Sequence, residues 1–102
     1  MPIRVIFFGT PAIAVPTLQS LAQSRELELV AAFTQPAARR SRRGQAEPSE
    51  MAQAARALGL ETHEVESVNE GAPYERLRAL APDAIAVVSF GQILKKRVLE
   101  LP

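Results

Sequence analysis

The chain has 102 residues, 47% of them hydrophobic, and sets 12 basic against 11 acidic side chains for a formal net charge of +1. That length suits one domain or part of one, is short for a complete doubly wound fold, and comes with a charge balance that singles out no partner. There is no cysteine, so disulfides, thiolate metal sites and a cysteine nucleophile are excluded. No apolar run is long enough to cross a bilayer, and the first residues lack the regions of a secretory signal, so the sequence reads as cytoplasmic.

Ile3-Arg4-Val5-Ile6-Phe7-Phe8-Gly9 is a run of β-branched and aromatic residues ending at Gly9-Thr10-Pro11. It predicts a fully buried parallel strand that stops at a tight turn, with Pro16 in the first turn of the next helix. From Ala12 to Ser24, Ala14, Leu18 and Leu21 recur at helical spacing. Leu27 to Phe33 supplies a second strand, which Thr34-Gln35-Pro36 closes. Ala37 to Glu47 has no apolar period and reads as an exposed loop carrying Arg39, Arg40, Arg42 and Arg43.

Ser49 is the expected N-cap of a second helix, with Met51, Ala54, Ala55 and Leu58 as its buried stripe and Gly59 at its C-terminus. Glu61 to Val65 predicts a short third strand. A third helix follows, with Tyr74, Leu77, Leu80 and Ala81 facing inward and Pro82 closing it. Ala84 to Ser89 is the fourth strand, Phe90-Gly91-Gln92 its exit, and Ile93 to Leu101 a short helical segment. Alternating strands and helices joined by short connections predict an α/β fold: a partial Rossmann-like open parallel sheet of four strands in the order 3-2-1-4 with flanking helices. Residues 1–102 read as one unit with no second domain.

In such a sheet ligands bind at the carboxyl ends of the strands. Gly9-Thr10-Pro11 sits there, but without G-x-G-x-x-G spacing or a Walker lysine it predicts a turn and no nucleotide site. The four loop arginines suit bidentate contact with a nucleic-acid backbone, or are a solvated basic loop. His63, the single histidine, has Glu61, Glu64 and Glu66 nearby, yet alternation along the strand predicts neither a metal site nor an acid–base pair. Asp83 lies at the amino end of its strand, the wrong edge for catalysis. Gly91 lies on the correct edge, where it allows close backbone approach to a flat ligand.

Gly9-Thr10-Pro11 with Ala14-Val15-Pro16, Phe33-Thr34-Gln35-Pro36, Pro48-Ser49 and Val87-Val88-Ser89-Phe90-Gly91-Gln92-Ile93-Leu94, in this order and spacing, resemble the amino-terminal part of the methionyl-tRNA formyltransferase family. The resemblance implies transfer of a formyl group from 10-formyltetrahydrofolate to the methionine amino group of initiator methionyl-tRNA. It implies that Arg39, Arg40, Arg42 and Arg43 contact the tRNA acceptor stem. It also implies that Phe90, Gly91, Gln92, Ile93 and Leu94 line the folate pocket through their backbone. Neither a metal nor a membrane partner is implied.

Departures accompany it. The basic loop lacks the family's usual Gln-Pro-Asp-Arg-Pro and Gly-Arg-Gly, Phe90 stands where tyrosine is usual, and Lys95 replaces a proline. The family's Asn-x-His pair and later Asp have no counterpart in these residues, so no catalytic residue is assigned and the chain reads as a truncated formyltransferase, inactive alone. Other readings are a different folate-dependent formyltransferase and a stand-alone RNA-binding α/β module.

Overall fold

A computed structural model describes residues 2–39 and 46–102. Strands β1 (Ile3–Gly9), β2 (Leu27–Thr34), β5 (Glu61–Glu64) and β6 (Ala84–Val88) form one parallel sheet in the order β5-β2-β1-β6. Counting these four strands in chain order this is 3-2-1-4, the predicted partial Rossmann-like sheet. One feature differs from the expected plain loop: β3 (Ala38–Arg39) and β4 (Ala46–Glu47) pair as a two-residue antiparallel ladder. Two residues without apolar alternation carry too little pattern to be read in advance.

The central strand buries both faces because helices cover the sheet on both sides. Phe7 packs with Ala14, Leu18, Ala32, Met51 and Ala55, beneath α1 (Val15–Gln23) and α2 (Glu50–Ala57). On the opposite face Ile6 and Phe8 pack with Ala31, Phe33, Tyr74, Leu77, Leu80 and Val98, beneath α3 (Gly71–Ala79) and the single-turn α4 (Lys96–Leu99). Alternation along a strand sends successive residues to opposite faces, so Ile6-Phe7-Phe8 feeds both halves of the core. Each of these three side chains is fully buried.

Local chemistry sets the helix ends. Ser49 accepts the Ala52 N–H at 3.0 Å as the N-cap of α2, and Pro16 occupies the first turn of α1. Leu58 and Ala81, expected on buried faces, are exposed, since each falls past the last full turn of its helix. Helical order near the C-terminus is confined to Lys96–Leu99, while Lys95 remains extended.

Candidate functional site

The strand exits converge on one polar network. Gly9 ends β1 where an added Cβ would sit 2.7 Å from Phe7, 2.8 Å from Ala14 and 3.0 Å from the Val88 carbonyl, so only hydrogen fits. Immediately after it, the buried Thr10 hydroxyl donates to the Phe90 carbonyl at 2.9 Å. The Thr34 hydroxyl at the end of β2 donates to Thr10 at 3.5 Å and lies 2.7 Å from the Ser49 hydroxyl. With Thr34 donating to Thr10, Ser49 must donate to Thr34. The protons therefore run one way, from the Ala52 N–H through Ser49, Thr34 and Thr10 to the Phe90 carbonyl.

Amides extend this chain across the edge. The Gln35 backbone N–H donates to Thr10 Oγ1 at 3.2 Å, and Gln35 Nε2 donates to the Gly91 carbonyl at 2.9 Å. Gln92 Nε2 donates to the Val65 carbonyl at 2.8 Å, and its Oε1 accepts the Val68 N–H at 3.2 Å. Asn69 Nδ2 donates to the Ile93 carbonyl at 2.9 Å, and its Oδ1 accepts the Lys95 N–H at 2.8 Å. All four exits of the sheet are thus fastened to each other by neutral groups.

Residues 90–94 divide their labour. The Phe90 ring is buried against Phe8, with centroids 4.9 Å apart, and Leu94 packs on the same core. Gln92 belongs to the network, whereas Ile93 is 83% exposed. Gly91 has φ +87° and Ser89 φ 49°, so the chain turns twice through the left-handed region within three residues. The carbonyls of Phe90, Gly91 and Ile93 are engaged, but the N–H groups of Gly91, Gln92, Ile93 and Leu94 have no hydrogen-bond partner among the described residues. A row of unused donors at a strand exit can bind a ligand through backbone alone.

The basic segment is placed only in part. Arg39 lies in β3, four residues beyond Gln35, while Arg40, Arg42 and Arg43 lie outside the described residues. His63 corrects an expectation: its Nε2 lies 2.6 Å from Glu61 Oε2, because residues two apart on a strand share a face. Arg76 grips the same carboxylate with bonds of 2.7 and 2.6 Å, and its hydrogen bonds pull the Glu61 pKa from 4.5 to about 2 against a smaller opposing effect of burial. His63 also stacks on Phe33 with centroids 4.9 Å apart. This cluster bonds β5 to α3 and is separate from the polar network of the exits. Asp83 accepts the Arg4 N–H at 2.9 Å at the amino edge, as a turn residue should.

Sequence reading missed Thr10, Thr34, Gln35, Ser49 and Asn69 as members of one network. A signal existed in Thr10-Pro11 and Thr34-Gln35-Pro36, where a threonine stands one or two residues before a proline at two adjacent exits.

The methionyl-tRNA formyltransferase of Trichlorobacter lovleyi is 42% identical over 99 residues, which cover 97% of this chain and 31% of that protein. The enzyme of the same name from Geotalea daltonii is 43% identical over 99 residues, with 97% and 31% covered. The one from Trichormus variabilis is 38% identical over 100 residues, with 97% and 30% covered. The chain matches the amino-terminal third of methionyl-tRNA formyltransferases. No protein-family model matches it. The chain spans about a third of the length of the relatives it matches. Among the described residues no group of three or more His, Cys, Asp or Glu could hold a metal ion, and no helix is long and apolar enough to cross a membrane.

Proposed function

We propose that this chain forms the amino-terminal part of a methionyl-tRNA formyltransferase catalytic domain, acting in the cytoplasm, and supplies one wall of its folate pocket and its RNA-contacting segment. The observation that carries this reading is the row of unpartnered N–H groups from Gly91 to Leu94, held at the strand exits by neutral hydroxyls and amides in a chain that matches formyltransferases. The missing side chain of Gly91 leaves room for Gln35 to hold its carbonyl, and the unused donors along Gly91 to Leu94 suit the carbonyl and ring-nitrogen acceptors of a reduced pterin. The residues present therefore fit 10-formyltetrahydrofolate, which when bound supplies an electrophilic formyl carbon. Arg39, Arg40, Arg42 and Arg43 match phosphates of the acceptor stem of initiator methionyl-tRNA.

Formyl transfer joins the methionine nitrogen to the formyl carbon, breaks the bond from that carbon to the folate nitrogen, and carries the amine proton by way of a base to the departing nitrogen. A donor must also steady the oxyanion. The network offers hydroxyls, carboxamides and backbone, none of which takes up a proton near neutral pH. His63 is engaged with Glu61 in the separate β5–α3 cluster. The chain therefore binds and orients without transferring.

A formylation assay with charged initiator tRNA tests this directly. No product should form with the purified chain, while calorimetry should detect binding of 5-formyltetrahydrofolate; turnover would overturn the inactivity. Acceptor-stem RNA should bind with a log–log salt slope of about −3.6 for four phosphate contacts, and replacing the four arginines by glutamine should abolish that slope. RNA binding without folate binding would instead support an RNA-binding module.

A further inference from the structure

Three side chains from different parts of the fold each hold one carbonyl of the β6 exit. Thr10 donates to the Phe90 carbonyl, Gln35 Nε2 to the Gly91 carbonyl and Asn69 Nδ2 to the Ile93 carbonyl, each at 2.9 Å. A peptide group is planar and these are trans, so a carbonyl held in place turns the N–H of the following residue in the opposite direction. The donors of Gly91, Gln92 and Leu94 are therefore aimed away from their holders. The Gln92 carbonyl has no holder among the described residues, which leaves the Ile93 N–H unaimed. Asn69 does more than the other two. Its Oδ1 also accepts the Lys95 N–H at 2.8 Å, so one carboxamide brackets Leu94 on both sides while the Leu94 side chain packs on the core. The bracket is itself fixed: Asn69 is 9% exposed, its N–H donates to Ser67 Oγ at 3.1 Å, and the adjoining Val68 N–H donates to Gln92 Oε1.

We infer that Asn69 is a positioning residue for the folate site: it acts through the Ile93–Leu94 peptide group and presents the Leu94 N–H to a reduced pterin without touching the ligand itself. The inference rests on the function proposed above. Asn69 lies in the connection between β5 and α3, outside the row of donors that would meet the folate. An N–H whose peptide plane is already fixed bonds to a ligand without first losing orientational freedom, and that preorganisation is what the carboxamide contributes.

The test uses the whole chain and 5-formyltetrahydrofolate, with affinity from calorimetry and amide signals from proton–nitrogen NMR. In the unmodified chain the folate should move the Gly91, Gln92 and Leu94 amide protons downfield, the mark of a new hydrogen bond, and leave that of Ile93 in place. Asn69→Asp keeps an acceptor for Lys95 and loses the donor to Ile93. It should weaken folate binding about two- to twelvefold, the worth of one hydrogen bond, and erase the Leu94 shift while those of Gly91 and Gln92 persist. Asn69→Ala should do the same. Glu61→Gln, in the separate β5–α3 cluster, controls for lost stability and should bind folate as the unmodified chain does. Unchanged affinity in folded Asn69→Asp overturns the inference, and so does loss of all three shifts together, which would mark a merely structural role. If neither Asn69 variant folds, the unmodified chain decides: a Leu94 proton that the folate leaves in place overturns the inference. Folate binding with that result leaves the proposed function standing, whereas no folate binding to the unmodified chain removes both.

Discussion

The hydroxyls of Thr34 and Ser49 lie 2.7 Å apart with both residues fully buried, and they clip together the two ends of the excursion that carries the basic segment. Ser49 simultaneously caps α2, so one bond joins a sheet edge, a helix start and the base of the loop. Thr34→Val should destabilise the chain by about 1–2 kcal/mol by leaving Ser49 without its acceptor. Ser49→Ala should lose about 1–2 kcal/mol through the cap and the hydrogen bond that Thr34 no longer accepts. Urea denaturation of the double variant should show less than the sum of the two losses, because both single changes break the same bond.

Gly9→Ala should destabilise the chain by about 1–3 kcal/mol, since its methyl must displace the Phe7 ring, Ala14 and the Val88 carbonyl at once. The measurement is again the urea midpoint. A loss below about 0.5 kcal/mol would show that the β1 exit yields more readily than close packing allows.

Ala81 follows the C-cap of α3 at φ 49°, a conformation that strains any residue with a Cβ. Ala81→Gly should therefore raise stability by about 0.5–1 kcal/mol despite the added freedom of the unfolded chain. Ala79→Gly, two residues earlier inside the helix, should lower it by about 1 kcal/mol. Opposite signs for the same chemical change in thermal melts would assign the effect to backbone conformation.

Glu61 titrates at about 2 in the folded chain, held down first by the Arg76 hydrogen bonds, against 4.5 ordinarily. The unfolded chain thus binds the proton more readily. The contribution of this carboxylate is fully present above pH 4.5 and is lost as pH falls from 4.5 through about 2. Denaturation between pH 2 and 6 should show Glu61→Gln less stable at pH 6, with the difference closing toward the acid end. A constant difference across that range would mean that the ion pair is not its source.

Much of the fold was legible because parallel strands announce themselves. Ile6-Phe7-Phe8 and Ala31-Ala32-Phe33 must bury both faces, which requires helices on both sides and fixes the layer order. Strand order followed from the connections. The boundary misreadings have a common cause: Leu58 and Ala81 have the right periodicity but fall where the helix has already ended. His63 was misjudged on direction, because Glu61 shares its face while Glu64 does not. The exit network was least legible. Thr10, Gln35 and Asn69 are single polar residues 25 or more apart in sequence, and only the closed sheet reveals that they meet.

The two rims of the sheet are built differently. Along β5, Glu61 and Glu64 are held by Arg76 and Arg56, so the rim is charged. Ala84-Ile85-Ala86-Val87-Val88 pairs only with β1 among the described residues and has no charge or proline along its length, with Val87 47% exposed. Charge and proline are what keep an open rim from recruiting copies of itself. Storage at high concentration should accordingly produce thioflavin-positive fibres seeded by this pentapeptide, and a single Val87→Lys should delay their appearance. The stretch that locks β1 in register is also the place where the molecule is most exposed to misassembly.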